Sequence, residues 1–196
     1  MTLRAVVKGV GHYLPKRVVP NSEFEKTLDT SDEWIQQRTG IKERRVGGST
    51  IGLSVQSGRQ ALEMAGLEPS RIDALVLATT TPDWQWGNAP AVQNELDLFC
   101  GAFDLNAACS GFVYGLSVAD AWIRVGQYRT ILLIGVEIQS TGLDLSTRGR
   151  DMAVLFGDGA GAAVLQAAEG DGDVLASSLH SQGEFNDVLW CEMPCS

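Results

Sequence analysis

Short apolar runs alternate along this chain with segments whose apolar residues recur at helical spacing. The runs at 72–79, 102–105 and 130–136 each have the length of a buried β-strand. Predicted helices, one from about 89 to 96 and one after Ser110, lie between them. Buried strands joined through helices are typical of crossover connections in a layered sheet. The sequence therefore predicts an α/β fold.

Cys109 lies where the second apolar run gives way to a predicted helix. The apolar residues at helical spacing in that helix are Phe112, Leu116, Ala119 and Ile123. Unpaired amides and the positive end of a helix dipole favour a thiolate over a thiol. Small neighbours leave room for a substrate carbonyl: Ala107, Ala108 and Gly111. Cys109 is therefore a candidate nucleophile, although a lone cysteine is more often a buried structural residue.

The bulk composition excludes several classes of function. A net charge of −9, with no basic patch, argues against nucleic-acid binding. The N-terminus does not resemble a signal peptide and no apolar run approaches transmembrane length, so we expect a cytoplasmic protein that does not enter a membrane. The cysteines are irregularly spaced, which favours free thiols: Cys100, Cys109, Cys191 and Cys195. Neither Cys191 nor Cys195 has zinc-site partners nearby, so we expect no metal.

Two glycine-rich stretches do not match nucleotide-binding patterns. Gly9-Val10-Gly11 follows a predicted strand at 3–10, but Leu14 occupies the third glycine position and Pro15 follows it. No phosphate-binding helix can begin there, and a tight turn is predicted instead. The stretch from Gly157 to Gly161 lacks P-loop spacing and is also predicted to be a tight turn, after a strand at 152–155 and before one at 162–165. A final strand is predicted at 174–179.

Two helices are predicted near the N-terminus. Asn21 is the predicted N-cap of a helix that reaches Leu28, and Ser31 is the predicted N-cap of the next one. In that second helix Trp34 and Arg38 are four residues apart and hence on one face. An indole and a guanidinium so placed can stack on a base and bind a phosphate. The alternative is that Trp34 is a core residue and Arg38 a solvated surface charge.

Four motifs occur in order along the chain: Asp29-Thr30-Ser31-Asp32-Glu33-Trp34-Ile35, Arg38-Thr39-Gly40-Ile41, Ala107-Ala108-Cys109-Ser110-Gly111-Phe112 and Phe156-Gly157-Asp158-Gly159-Ala160-Gly161. In sequence and spacing the set resembles β-ketoacyl-acyl-carrier-protein synthase III, a thiolase-fold condensing enzyme. The resemblance implies one half of a duplicated layered αβαβα architecture. Residues 1–196 would be the N-terminal half-domain with the nucleophile, and the C-terminal half would not be in this sequence.

The resemblance also implies an activity. Cys109 would take an acyl group from acyl-coenzyme A and condense it with malonyl-acyl-carrier protein, giving 3-oxoacyl-carrier protein and initiating fatty-acid synthesis. No cofactor is implied, and the enzyme would be a homodimer. The histidine and asparagine that activate the malonyl donor in such enzymes come from the second half. The histidines of this chain, His12 and His180, match no catalytic position.

Further residues acquire roles only through the resemblance. Coenzyme A would be bound by Trp34 against the adenine, by Thr30 near it and by Arg38 on phosphate, while Arg150 has the spacing for packing against the adenine. The acyl pocket would include Thr80, Trp86 and Phe156. Trp86 matches a phenylalanine that reaches this pocket across the dimer interface, so the larger ring leaves the preferred acyl chain open.

Three alternatives remain at this point. A specialised ketosynthase that primes polyketide or other acyl pathways has almost the same sequence pattern. A non-catalytic partner subunit would share the fold, but such a subunit needs no nucleophile at a helix start. A dinucleotide-binding oxidoreductase would also be α/β, but the glycine fingerprint that it requires is missing.

Overall fold

The structure is a computed structural model that describes residues 3–188. Its strands are β1 (Leu3–Tyr13), β2 (Arg17–Pro20), β3 (Glu43–Val46), β4 (Ala74–Ala78), β5 (Gly101–Leu105), β6 (Thr130–Ile138) and β7 (Asp158–Glu169). Its α-helices are α1 (Asn21–Phe24), α2 (Asp32–Thr39), α3 (Thr50–Ala65), α4 (Ala89–Glu95), α5 (Gly111–Arg124) and α6 (Arg150–Ala153). The three apolar runs correspond to β4, β5 and β6, and the predicted α/β fold is confirmed.

A five-stranded sheet in the order β1-β7-β6-β4-β5 forms the centre of the fold. Strand β4 is parallel to both β5 and β6, whereas β7 is antiparallel to β6 and to β1. The parallel strands are joined through α4 and α5, as the helices between the apolar runs predict. Strands β2 and β3 form a separate antiparallel ribbon.

Alternate residues of the sheet face two different hydrophobic cores, because side chains of a strand alternate between its faces. Leu75 and Leu77 of β4 lie in the core that includes residues of α3. Val76, between them, lies in the opposite core with Ala119 and Ile123 of α5. All five side chains are at most 5% exposed. Helix α3 therefore covers one face of the sheet and α5 the other.

The predicted turn at Gly9-Val10-Gly11 is wrong, because these residues lie inside β1 and pair with β7. Both glycines pack against the backbone of α3. A Cβ atom at residue 9 would lie 2.5 Å from the backbone nitrogen of Ala65, and one at residue 11 would lie 2.6 Å from that of Ala61. The glycines thus permit a close helix–strand approach rather than a turn.

Several predicted boundaries also change. Asn21 is the first residue of the four-residue helix α1, not the N-cap of a helix to Leu28, and Pro20 precedes it as the cap. Ser31 does cap α2, since its Oγ accepts a hydrogen bond from the backbone N–H of Trp34 at 3.1 Å. The buried Asn21 side chain instead makes tertiary hydrogen bonds, which a local pattern cannot indicate.

Three further predictions fail in the second half of the chain. Residues 152–155 belong to α6 and the turn after it rather than to a strand. The glycine-rich stretch is not a tight turn: β7 begins at Asp158, and Gly161 pairs with both His12 and Gly135. No strand forms at 174–179. Asp173 and Val174 still donate backbone hydrogen bonds to Ala5, which covers part of β1 without extending the sheet.

Strand β5 is an edge strand and is not fully buried as predicted. It pairs only with β4 among the strands that the structure describes, and Phe103 at its middle is 37% exposed. A short apolar run has the same composition in a central and in an edge strand, so the sequence alone does not distinguish them. None of the helices within residues 3–188 has the length and apolar character that a membrane crossing requires.

Candidate active site

One edge of the central sheet gathers most of the candidate residues. The last residue of β4, Ala78, pairs with Leu105 at the end of β5 and with Gly135 of β6. The end of β6 in turn pairs with the first residue of β7, Asp158. The segments that follow β4 and β5 and the segment that precedes β7 therefore meet at this edge. They contain Thr80, Trp86, Cys109 and Phe156.

Cys109 lies in a 3₁₀ turn, Ala108–Ser110, between β5 and α5. This confirms its predicted position between a strand and a helix N-terminus. Its side chain is free and exposed. Ala108, just before it, has a φ of 47°, a left-handed conformation that costs a residue with a Cβ about 1–3 kcal/mol. The strained turn presents the cysteine at the beginning of the helix.

Small residues allow the start of α5 to pack tightly on the sheet. A Cβ atom at Gly111 would lie 3.2 Å from the Cβ of Ala78. One at Gly135 would lie 3.1 Å from the ring of Phe112. These contacts are closer than most side chains tolerate, so both glycines determine how near Cys109 lies to the ends of β4 and β6.

The other cysteine of the described residues differs in its surroundings. Cys100 is half-buried, and burial raises the pKa of its thiol, with a smaller contribution from the negative charge of Asp73. A raised pKa leaves less thiolate near neutral pH. Cys191 and Cys195 lie outside the described residues.

The histidines are placed differently from the sequence expectation. His12 lies within β1, not in a turn. His180 does not end a strand; it lies in an irregular exposed segment, with its Nε2 2.8 Å from the hydroxyl of Ser178.

Thr80, the residue expected in the acyl pocket, is held by a carboxylate that sequence reasoning missed. Glu137 of β6 accepts hydrogen bonds from the N–H of Thr80 at 2.8 Å and from its hydroxyl at 2.9 Å. It also accepts one from the hydroxyl of Thr81 at 2.7 Å. A partly buried polar residue within an apolar strand was the available signal. The pairing of β4 with β6 brings these distant residues together.

The loop with Trp86 is fixed by a second polar network. Asp104 of β5 accepts hydrogen bonds from the backbone N–H groups of Asn88 and Ala89, at 2.7 and 2.6 Å. The buried Asn88 side chain accepts one from the N–H of Trp84 at 3.2 Å and donates one to its carbonyl at 3.1 Å. Trp86, between these anchors, is 91% exposed. A fixed loop thus presents an indole away from its own fold.

Phe156 is half-buried and lies between α6 and β7. The nearby Asp158 is buried and accepts hydrogen bonds from the N–H of Gly47 at 2.6 Å and from the N–H and hydroxyl of Ser140, at 2.9 and 2.7 Å. This carboxylate joins the segments that contain Gly47 and Ser140 to the start of β7. Together with the pairing of β6 and β7, it fixes the position of the glycine-rich stretch beside the end of β6.

A second group of candidate residues surrounds Trp34. The guanidinium of Arg38 lies 4.3 Å from the centre of the indole ring, and that of Arg150 lies 4.7 Å from it. Both distances fall within the range of cation–π contacts. Arg150 also donates a hydrogen bond to the carbonyl of Asp29 at 3.0 Å. Trp34 is half-buried rather than a core residue. The structure therefore places one partly accessible aromatic ring beside two cationic groups.

Thr30 lies just before the N-cap of α2, the helix that contains Trp34. Its backbone N–H donates to the carbonyl of Leu28 at 2.9 Å. Its hydroxyl oxygen is buried and has no hydrogen-bond partner within the described part of the chain. A buried hydroxyl without a partner is uncommon in folded proteins.

Metal coordination finds no support at either group. Within residues 3–188, no cluster of three or more His, Cys, Asp or Glu side chains is arranged to hold a metal ion.

Comparison with known proteins is consistent with this geometry. Residues 103–183, which include Cys109 and Phe156, match the family model of 3-oxoacyl-[acyl-carrier-protein] synthase III. The β-ketoacyl-[acyl-carrier-protein] synthase III of Cereibacter sphaeroides is 50% identical over 98% of this chain and 62% of that protein. The enzyme of the same name from Brucella melitensis is 48% identical, over 97% of this chain and 61% of that protein.

Solved structures give the same assignment. The 3-oxoacyl-(acyl carrier protein) synthase III of Pseudomonas aeruginosa has a TM-score of 0.91 and 43% identity, over 97% of this chain and 61% of that one. The priming β-ketosynthase of the R1128 polyketide pathway has a TM-score of 0.82 and 37% identity, over 86% and 52%. The fold is therefore thiolase-like. The chain spans about 62% of the length of the curated relatives that it matches. By sequence and by fold, the chain is similar over nearly all of its length to proteins of the β-ketoacyl-acyl-carrier-protein synthase III family.

Proposed function

We propose that this chain is the N-terminal, nucleophile-bearing half of a condensing enzyme. In this reaction the Cys109 thiolate attacks the carbonyl of an acyl-coenzyme A thioester, and backbone amides at the start of α5 stabilise the oxyanion. Coenzyme A leaves as its thiol and the acyl group remains on the sulfur. The observation that carries the proposal is the exposed Cys109 on a strained turn at a helix start, within the family motif.

Trp34 and the residues around it are the proposed binding site for coenzyme A. The indole offers a stacking surface for the adenine, and Arg38 and Arg150 offer cations for phosphate. The hydroxyl of Thr30, which has no hydrogen-bond partner within the described residues, is the proposed donor of one hydrogen bond to the nucleotide. The grouping of these residues supports the proposal, since two guanidinium groups lie at cation–π distance from one indole ring.

Condensation requires groups that we place in a second half, outside this sequence. Malonyl-acyl-carrier protein would be decarboxylated there by a histidine and an asparagine, and the resulting carbanion would attack the acyl group on Cys109. Carbon dioxide and 3-oxoacyl-carrier protein are the products, and the Cys109 thiolate is regenerated. Decarboxylation drives the carbon–carbon bond, so the proposal includes no cofactor. A half-exposed Val113 on α5 and the exposed Cys109 support a missing covering layer.

A homodimer in the cytoplasm, with acyl-carrier protein as its partner, completes the proposal. Among the described strands β5 pairs only with β4, its Phe103 is 37% exposed, and the exposed Trp86 is fixed on a neighbouring loop. An unprotected strand edge is a template for pairing with another chain. Such pairing would direct Trp86 toward the acyl pocket of the other copy, where Thr80 and Phe156 form the proposed wall.

A priming ketosynthase of another acyl pathway is the second candidate. Trp86, in place of the phenylalanine of the family, supports it, because a bulkier ring changes the length or shape of the acyl chain that fits. The similarity to the R1128 priming β-ketosynthase supports it as well.

The test is acyl transfer and condensation by the protein with its second half present. After brief treatment with acyl-coenzyme A, mass spectrometry should find the adduct on the Cys109 peptide. When malonyl-carrier protein is then added, the acylated protein should release 3-oxoacyl-carrier protein. Cys109→Ala should lose both. An adduct on Cys100, Cys191 or Cys195 instead would refute the assignment. A series of primers from acetyl to branched and longer chains separates the two candidate pathways.

A further inference from the structure

Arg44 of β3 is buried without an acidic partner. Its side chain is 5% exposed, and within the part of the chain that the structure describes no carboxylate lies within ion-pair distance of it. A buried charge is costly unless every donor is satisfied. Here the guanidinium stacks on the ring of Phe24 at 4.6 Å and donates only to neutral oxygens.

The first of these oxygens belongs to Val154, the C-cap residue that follows α6. Arg44 donates from Nε at 3.2 Å, and also from Nη2, to the carbonyl of Val154. Val154 in turn donates its N–H to the carbonyl of Arg150 at 3.1 Å. One side of the guanidinium is therefore hydrogen-bonded to the C-terminal end of the short helix that begins with Arg150.

The second oxygen leads to α2. Arg44 donates from Nη1 to the side-chain oxygen of Asn21 at 2.6 Å. Asn21 is 1% exposed. Its side-chain nitrogen donates to the carboxylate of Asp32 at 2.7 Å and to the carbonyl of Ile41 at 2.7 Å. Asp32 is the first residue of α2. The hydrogen bonds from its side-chain partners, Asn21 foremost and then Gln36, lower the pKa of this carboxyl and keep it ionised as an acceptor.

Arg44 and Asn21 thus connect two helices that are far apart in sequence. Trp34 lies on one of these helices and Arg150 on the other, and the guanidinium of Arg150 stands 4.7 Å from the indole ring. The apolar contacts beneath them, among Ile35, Ala153 and Val154, supply the packing but no direction. Hydrogen bonds are directional, so the contacts of Arg44 and Asn21, called the bridge below, constrain the spacing between α2 and α6 together with the hydrogen bond from Arg150 to Asp29.

We propose that Arg44 and Asn21 are positioning residues that hold Trp34 and Arg150 at the spacing required to bind the nucleotide of coenzyme A. Neither residue touches the ligand. The proposal rests on the function proposed above for Trp34 and Arg150. A lysine at position 44 keeps the charge but has one nitrogen instead of a fork, so it cannot bind Val154 and Asn21 together.

The experiment compares Arg44→Lys with Arg45→Lys, the next residue of the same strand, in the protein with its second half present. Arg45 is partly exposed and pairs with Glu43 at 3.6 Å, so its replacement leaves the bridge intact. Asn21→Asp is the second bridge variant: it keeps an oxygen for Arg44 and loses the donors to Asp32 and Ile41. It tests the proposal if Arg44→Lys fails to fold.

We expect both bridge variants to bind coenzyme A about tenfold more weakly, the effect of one lost charged hydrogen bond, while Arg45→Lys binds normally. Acylation of Cys109 by an acyl N-acetylcysteamine thioester, which has no nucleotide, should keep its rate in all three. Crystal structures of the bridge variants should show a changed distance between Trp34 and Arg150.

Equal losses with both thioesters would overturn the positioning role, since a general structural defect affects both. An unchanged Trp34–Arg150 distance in the bridge variants would overturn it independently of any ligand. If coenzyme A fails to bind the unaltered protein, the proposed function itself is wrong, and the crystal structures alone decide whether Arg44 sets the spacing.

Discussion

A Cβ atom at Gly11 of β1 would overlap the backbone carbonyl oxygen of Ser57 in α3. The helix and the strand approach each other through their backbones here, and neither can yield by a side-chain rotation. Gly11→Ala should therefore push α3 away from the sheet and lower the free energy of unfolding by about 1–3 kcal/mol. Chemical denaturation of the protein with its second half present measures this.

Gly142→Ala is the matched control, because nothing lies within 4 Å of its Cβ position and its φ is not positive. It should change the free energy of unfolding by less than about 0.5 kcal/mol. Equal stability of the two variants would mean that α3 moves away from β1 without cost.

Replacing Arg38 tests the proposed site for coenzyme A. Arg38→Ala should weaken coenzyme A binding by about 1.5–3 kcal/mol, the range for a hydrogen bond to a charged group. Acyl transfer from a short thioester without a nucleotide should suffer much less. Isothermal titration and the rate of Cys109 acylation provide the two measurements. Arg71→Ala, which replaces an exposed arginine in the 3₁₀ turn between α3 and β4, serves as the control. Equal loss with both substrates would make Arg38 a structural residue.

Glu137 should matter for stability as well as for the acyl pocket. Glu137→Ala leaves the N–H of Thr80 and two hydroxyls without their acceptor, which should cost about 1–3 kcal/mol of unfolding free energy. Glu137→Gln retains one oxygen and should lose less. Glu169→Ala, at the exposed end of β7, is the control. If Glu137→Ala unfolds at the same denaturant concentration as the control, the network contributes nothing to folding.

The stabilising contribution of Asp144 to the loop before α6 should be lost only in strong acid. Hydrogen bonds from the hydroxyl and N–H of Ser146, with that of Arg148 next, lower the pKa of Asp144 from 3.8 to about 2. Because the folded value is depressed, its stabilising contribution is complete above pH 3.8 and is lost as the pH falls toward 2. Carbon-13 NMR of the side-chain carboxyl should give a midpoint near 2. A midpoint at 3.8 would show that these hydrogen bonds do not form in solution.

Residues 1–196 expressed alone should not catalyse condensation. They contain the nucleophile, but His12 lies within β1 and His180 in an exposed segment. The partly exposed α5 should also make the isolated chain associate, which light scattering would detect. Turnover that returns when the second half is added in trans would support the two-half proposal. A monomeric 1–196 that releases carbon dioxide from malonyl-carrier protein would contradict it, and His180 would then be the first candidate for the missing base.

The sequence alone was sufficient for features that depend on local order. Apolar runs and helical spacing indicated β4, β6 and α5, and the motif around Cys109 placed it between a strand and a helix, as found. Ser31 was correctly predicted as a cap because capping involves residues three apart. In such cases the deciding contacts lie within one turn of the chain.

Tertiary structure decided the features whose partners are distant. The spacing of Gly9 and Gly11 is typical of a turn, but both residues belong to a strand. Glycine is required there because a side chain would collide with the backbone of α3. Phe103 lies in an apolar run typical of a buried strand, but its strand is at the edge of the sheet. The order of strands is set by long-range pairing, which the run itself does not reveal. Glu137 meets Thr80 and Arg44 meets Val154 only in the folded chain, across 57 and 110 residues. Hydrogen bonds between such distant residues have no periodic signature, so a local pattern cannot contain them.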